Sequence, residues 1–286
     1  MPPLGMAASL GLGTPRAATS SGSVPGGGGG TAPDEVDDLV IWMDAGANAW
    51  TDSVDGTAAT NGDTALVWQS RHTDDAIFSL YWSAASNPTL RTSGQNGQPY
   101  MDMVDLGTYS KAAENASQAG TATVFWIWNP TVVDGNNRQM FANGAPWTLL
   151  GREQNWPNAG RFRLRLEYGT DAFVYWDGAP NTDFAVLSIA CDLGTSLPIP
   201  RRNGGAPIAL ETITGSASGA GVDGDAYWSG DASGTNALYI GAGSATTKMN
   251  VYEVFWYDRL LSNAEMDGVH AWIADKYDVT QDTVTD

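Results

Sequence analysis

The stretch VYEVFWYDRLLSNAEMDGVHAWIADKY, residues 251–277, decides the fold. Val251 to Tyr257 is β-branched and aromatic, the composition of a pleated strand. Simple alternation puts Val251, Phe255 and Tyr257 on one face and Tyr252, Val254 and Trp256 on the other. A strand apolar on both faces must be covered on both, so this one is expected inside a sheet and not at its edge. The residues after it spell a helix start. Ser262 and Glu265 form a capping box, and Leu261 and Met266 stand at hydrophobic-staple spacing. Met266, Val269, Ile273 and Tyr277 recur at helical period, and Lys276 suits the negative end of the helix dipole.

Working outward, the segment Tyr257-Asp258-Arg259-Leu260-Leu261-Ser262-Asn263-Ala264-Glu265, followed by a helix ending Lys276-Tyr277, resembles the close of laminin-G-like jelly rolls. These belong to the concanavalin A-like lectin/glucanase superfamily and are common in bacterial and bacteriophage proteins. Leu39 to Ala45 is similar to the family's opening strand, and Asn96-Gly97-Gln98-Pro99 to the turn before its next core strand. Arg202-Asn203-Gly204 resembles a strand-to-hairpin turn, and Ile240-Gly241 the strand before the closing one. The resemblance spans roughly residues 39–277. It implies an all-β, antiparallel jelly-roll sandwich with one C-terminal amphipathic helix, and it leaves function open, because this fold hosts lectins, hydrolases and structural modules.

The strand pattern agrees. Thr121 to Asn129 alternates Val124, Trp126 and Trp128 against Phe125 and Ile127. Phe162 to Tyr168 has the clearest period of two, with Phe162, Leu164, Leu166 and Tyr168 opposed to Arg161, Arg163, Arg165 and Glu167. Gly169-Thr170 then turns into Ala172 to Trp176 as a hairpin. Further strands are expected at 66–69, 77–82, 100–104, 139–142, 147–150, 184–191, 208–211 and 237–241, with a Pro-punctuated link at Pro198 and Pro200 and a long surface loop over 44–65. Residues 1–33 form a Gly/Ser/Ala-rich arm with five successive glycines from Gly26 to Gly30, and residues 34–286 form the domain. Such an arm buries too little apolar surface to fold alone. It reads either as a flexible leader or as a docking segment ordered against neighbouring subunits.

Composition limits the chemistry. The chain carries 32 acidic against 14 basic residues, a net charge of -18, which disfavours nucleic acid as a partner. Cys191 is the only cysteine, so no intrachain disulfide forms. His72 and His270 are too isolated for a metal cluster, and His270, inside the helix pattern, points to a packing or surface role and not to catalysis. No apolar run reaches the ~20 residues of a membrane span. The N-terminus lacks the basic n-region of an export signal. The superfamily's hydrolases carry Glu-x-Asp-x-x-Glu or Glu-x-Asp-x-Glu on one strand, and no such strand is present, so no catalytic residues are expected.

Candidate binding residues remain. Trp156, Trp176, Tyr227 and Trp228, read as loop aromatics, would stack on sugar faces, with Asn155, Asn158 and Asp177 beside the first two. Arg161, Arg163 and Arg165 make a positive stripe, to be paired with the chain's own carboxylates, a neighbouring copy or an anionic glycan. Asp223, Asp225 and Asp231, or Asp52 with Asp55, offer oxygen ligands for calcium; no other cofactor is expected. The family resemblance and the arm together point to a non-enzymatic virion protein, a capsid decoration, head fibre or tail-associated component. It would dock on other virion proteins through its arm and assemble as a homo-oligomer on the particle surface. The alternative is a carbohydrate-binding adhesin at a bacterial surface or outside the cell.

Overall fold

A computed structural model describes residues 29–53, 56–72, 79–82, 87–103, 110–112, 121–131, 138–143, 148–152, 162–165, 173–176, 184–192, 199–208, 212–214, 238–240 and 249–280. Its strands are β1 (Leu39–Asp44), β2 (Ala49–Trp50), β3 (Val67–Gln69), β4 (Ser79–Trp82), β5 (Thr89–Arg91), β6 (Tyr100–Asp102), β7 (Ser110–Ala112), β8 (Thr121–Pro130) and β9 (Arg138–Asn143). They continue with β10 (Thr148–Arg152), β11 (Phe162–Arg165), β12 (Phe173–Trp176), β13 (Ala185–Asp192), β14 (Ile199–Arg202), β15 (Thr212–Thr214), β16 (Leu238–Ile240) and β17 (Met249–Tyr257), and the chain closes on helix α1 (Asn263–Tyr277). The fold is the antiparallel concanavalin A-like sandwich with one C-terminal helix.

A seven-stranded sheet runs β14-β13-β8-β17-β6-β5, with β1 also on β17. A six-stranded sheet runs β15-β12-β11-β10-β9-β16, and a four-stranded one β2-β3-β4-β7. As its sequence requires, β17 is interior. One edge pairs with β8; the other is shared by β6, opposite Asn250 and Val251, and β1, opposite Glu253 to Tyr257. Phe125, Ile127, Val186, Ala190, Phe255 and Tyr257 form the face that receives Met266, Val269, Ile273 and Tyr277 of α1. Val124, Trp126, Trp128, Val254 and Trp256, on the other face, are buried as well.

Alternation fails at one point. A β-bulge between Val251 and Glu253 pairs Val251 with Trp128 and Val254 with Trp126. Because Trp126 and Trp128 share a face of β8, Val251 joins Val254 and Trp256, while Tyr252 packs on the helix side with Phe184 and Tyr277. Both residues therefore lie on the faces opposite to those expected, since the extra residue of a bulge shifts the period by one.

The helix forms as read. Ser262 accepts from the Glu265 amide, Glu265 accepts from the Ser262 amide, and Leu261 and Met266 are buried. Its C-terminal carbonyls are met from a distance: the side-chain amides of Gln95 and Asn96 donate to Tyr277 O and Lys276 O, each at 3.0 Å. Asn96 and Gly97 hold positive φ in that turn, the conformation their residue types tolerate. One expected link differs. Ile199 to Arg202 is a strand, and Pro200 is tolerated because β14 is an edge; of the strand expected at 208–211, residues 209–211 lie outside the described residues, and Thr212–Thr214 follows as β15. The domain also starts before Asp34: Thr31 donates to Gly268 O at 3.0 Å, and Pro33 O accepts from Tyr257.

Candidate functional site

Two polar clusters are buried against α1. Glu253, fully buried, accepts from Trp42 Nε1 at 2.9 Å and from the Tyr277 hydroxyl at 2.7 Å, and pairs with Lys276. Its cross-strand neighbour Asp44 binds Arg71 at 2.6 Å and lies 3.8 Å from Lys276. Burial raises the Glu253 pKa; Lys276 pulls it back and Asp44 adds to it. Both Glu253 oxygens are taken by side-chain donors, so this pair of carboxylates clasps helix to sheet and holds no open position for an attacking water. The sequence reading gives Lys276 a role at the helix dipole and does not find this cluster, because Trp42 and Glu253 lie 211 residues apart.

The second cluster joins Ser188 Oγ to His270 Nε2 at 2.8 Å. His270 is buried against Phe125, so of the two roles open to it the structure gives packing. Its Nδ1 has no hydrogen-bond partner among the described residues, so a serine–histidine contact exists without the carboxylate that would orient it for catalysis. Burial, with the Arg201 charge, pushes its pKa down to about 4. Arg201 is itself buried, and is held by Asn263 at 2.6 Å and Asp267 at 3.0 Å.

The arginines of the sequence stripe lie elsewhere, in the six-stranded sheet, at whose one end β9, β11 and β15 begin and β10 and β12 end. The row Phe141, Leu150, Leu164, Val174, Ile213 is apolar throughout, with Ile240 beyond Phe141. The flanking rows fall on the other face: Gly151, Arg163, Tyr175, Thr212 and Leu149, Arg165, Phe173, Thr214. The expected arginine stripe thus stands beside an aromatic strand and a threonine strand, with Gly151 at a bulge against β9. At strand spacing of ~4.8 Å, a row over four strands is about 14 Å long. Arg138 and Arg152 are cross-strand partners at the same end.

Of the residues singled out from sequence, Arg163 and Arg165 lie in β11. Trp176 ends β12 instead of lying in a loop; it pairs with Phe162 and shares the face of the apolar row, not that of Arg163. Trp156 and Arg161 fall in the β10–β11 connection, outside the described residues, as do Tyr227, Trp228, Asp223, Asp225 and Asp231 in the β15–β16 connection. That second connection leaves from Thr214 and returns at Leu238, beside Phe173 and Asn143, at the sheet's opposite end. Among the described residues no group of three or more His, Cys, Asp or Glu is placed to hold a metal. Asp52 spends its oxygens on its own loop, accepting from Ser53 N, Thr57 N and Thr57 Oγ1 at 2.7–2.9 Å. Those bonds lower its pKa. No described helix is long and apolar enough to cross a membrane.

No protein-family model matches the chain, and no curated protein matches it either. Solved structures match in fold. Trypanosoma rangeli sialidase in complex with sialic acid aligns at 12% identity with a TM-score of 0.52, over 88% of this chain and 34% of that one. A botulinum neurotoxin serotype D/C binding domain aligns at 7% identity and 0.46, over 83% and 52%. Domain 4 of an extracellular arabinanase from Geobacillus stearothermophilus, in complex with arabinotriose, aligns at 12% and 0.44, over 82% and 98%. The chain spans about a third of the sialidases' length. At these identities the likeness is one of fold.

Proposed function

We propose that this chain is a non-enzymatic carbohydrate-recognition module that binds a surface glycan across the end of the six-stranded sheet. The observation that carries the reading is the register there. It sets guanidinium, aromatic and hydroxyl residues side by side on one face, with a glycine between Arg163 and the Gln139 position. Sugars are held by stacking on aromatic rings and by planar hydrogen-bonding groups on their hydroxyls, and a mid-strand glycine leaves room for close approach. The fold shared with the sialidase is consistent with a lectin-like module. A glycan array probed with the intact protein tests this. Saturable binding that weakens roughly tenfold (about 1.4 kcal/mol) in Tyr175→Ala is expected. A folded protein that binds no glycan sinks the reading, and release of reducing sugar from a bound polysaccharide would overturn its non-enzymatic part.

A second reading, display on a phage particle or cell surface through residues 1–33, is favoured by where the chain enters the domain. Gly30 lies flush on the Ala271–Trp272 backbone of α1, where a Cβ would overlap main-chain atoms, and Gly268 lies under Thr31. The entry is therefore on the helix layer that covers the seven-stranded sheet.

A further inference from the structure

We propose that the first half of α1 and the entry segment laid on it, residues 30–36, form an acid-released latch: protonation of His270 frees both from the seven-stranded sheet and loosens the anchorage of the N-terminal arm.

This half of the helix is gripped from two sides. Toward the sheet, Asp267 and His270, one turn apart, reach Arg201 on β14 at 3.0 Å and Ser188 on β13 at 2.8 Å. Toward the entry segment, Gly268 O accepts from Thr31 N at 3.0 Å, and Gly30 rests on the Ala271–Trp272 backbone. Pro33 O accepts from the Tyr257 hydroxyl, and Val36 belongs to the same apolar cluster as Leu261, Met266 and Val269. Residues 267–272 thus hold sheet and entry segment alternately, so the segment keeps its seat only while the helix keeps its own. Gly268, a residue that weakens a helix interior, stands among them.

The sheet side has no place for a second charge. His270 meets Phe125 of β8, Ser188 of β13 and the Arg201 charge of β14. Among the described residues, the carboxylate bonded to this cluster is Asp267 on α1, whose side chain is 61% exposed. His270 Nδ1 and Arg201 Nε are both buried without a hydrogen-bond partner. An imidazolium here would stand beside a buried guanidinium with no acceptor for its second N–H, so the charged form belongs to the released state, where water solvates it. In place the ring stays neutral down to about pH 4; released, it takes a proton below about 6.5. The far end of α1 responds in the opposite sense. Burial raises the Glu253 pKa, and a raised group loses its contribution as pH rises, so acid does not loosen the contacts of Glu253 with Lys276 and Tyr277.

Hydrogen exchange of the full chain at about pH 7.5 and about pH 5, corrected for the intrinsic effect of pH on exchange, tests this. Glu265, whose pKa Arg259 and Ser262 lower to about 2, stays ionised at both, so the capping box is constant. The amides of Thr31 and residues 266–272 are expected to open about 30-fold more at the lower pH, while those of β8 and β17 keep their protection. In His270→Gln the response should vanish. Protection at Thr31 that ignores pH, acceleration that persists in His270→Gln, or equal acceleration across β8 and β17 would each overturn the latch. Should His270→Gln not fold, an NMR titration of the wild-type imidazole decides. A ring that takes its proton only as Thr31 opens supports the latch; one that titrates at an ordinary histidine value with Thr31 still protected overturns it.

Discussion

His270 is held away from water inside the domain. It sits on α1 between Phe125 and Ser188, with Arg201, Asn263 and Asp267 as the polar and charged groups around it. Its folded-state pKa of about 4 lies below the unfolded value of about 6.5, so between the two the unfolded chain binds the extra proton. Stability is therefore full above about pH 6.5 and is lost as pH falls toward 4, by about 3 kcal/mol when the loss is complete. Urea midpoints from neutral to acid pH should show this slope in the wild type and its reduction in His270→Gln. An unchanged slope would mean that His270 does not titrate with unfolding. The histidine's place in the helix was legible from the apolar repeat around it. Its serine partner, 82 residues away, was not, because nothing local marks which strand a helix will cover.

At the scale of elements, α1 is held to the sheet by more than its apolar stripe. Lys276 reaches Glu253 on β17 and stands near Asp44 on β1, while Trp42 and Tyr277 complete the Glu253 shell. Removing one partner of a buried pair leaves an uncompensated charge, so Lys276→Met should cost about 3 kcal/mol at neutral pH. The sign with pH is definite. Without Lys276 the Glu253 pKa rises further above its unfolded value, so the variant is most stable below the usual glutamate range and loses stability as pH rises. Denaturation of variant and wild type should thus diverge from acid to neutral pH; a constant gap would argue against a buried charge. The closing strand, the capping box and the staple were readable because they depend on neighbours within five residues. The bulge at Val251–Glu253 was not. It is a property of the pairing with β8, and it reverses the faces of Val251 and Tyr252 while the composition of the strand stays the same.

For the whole molecule, the chain enters the domain against α1, where Gly30 lies on the Ala271–Trp272 backbone, and the display reading is tested on particles and cells. Antibody against residues 34–286 applied to particles and cells of the source culture should label heads, tails or fibre tips if the chain is a virion component. Label on cells and never on particles would leave a cell-surface lectin. The sequence by itself determined the closing strand and helix, the period-two strands, the all-β class and the clustering of arginine near residue 163, since each is written in short-range periodicity and residue type. Only the tertiary structure decided that Arg138 faces Arg152, that Trp176 and Arg163 lie on different faces, and that Glu253 is enclosed by Trp42, Lys276 and Tyr277. Those facts depend on register between strands distant in sequence. Register follows from the packing of many side chains at once, and no local stretch encodes it.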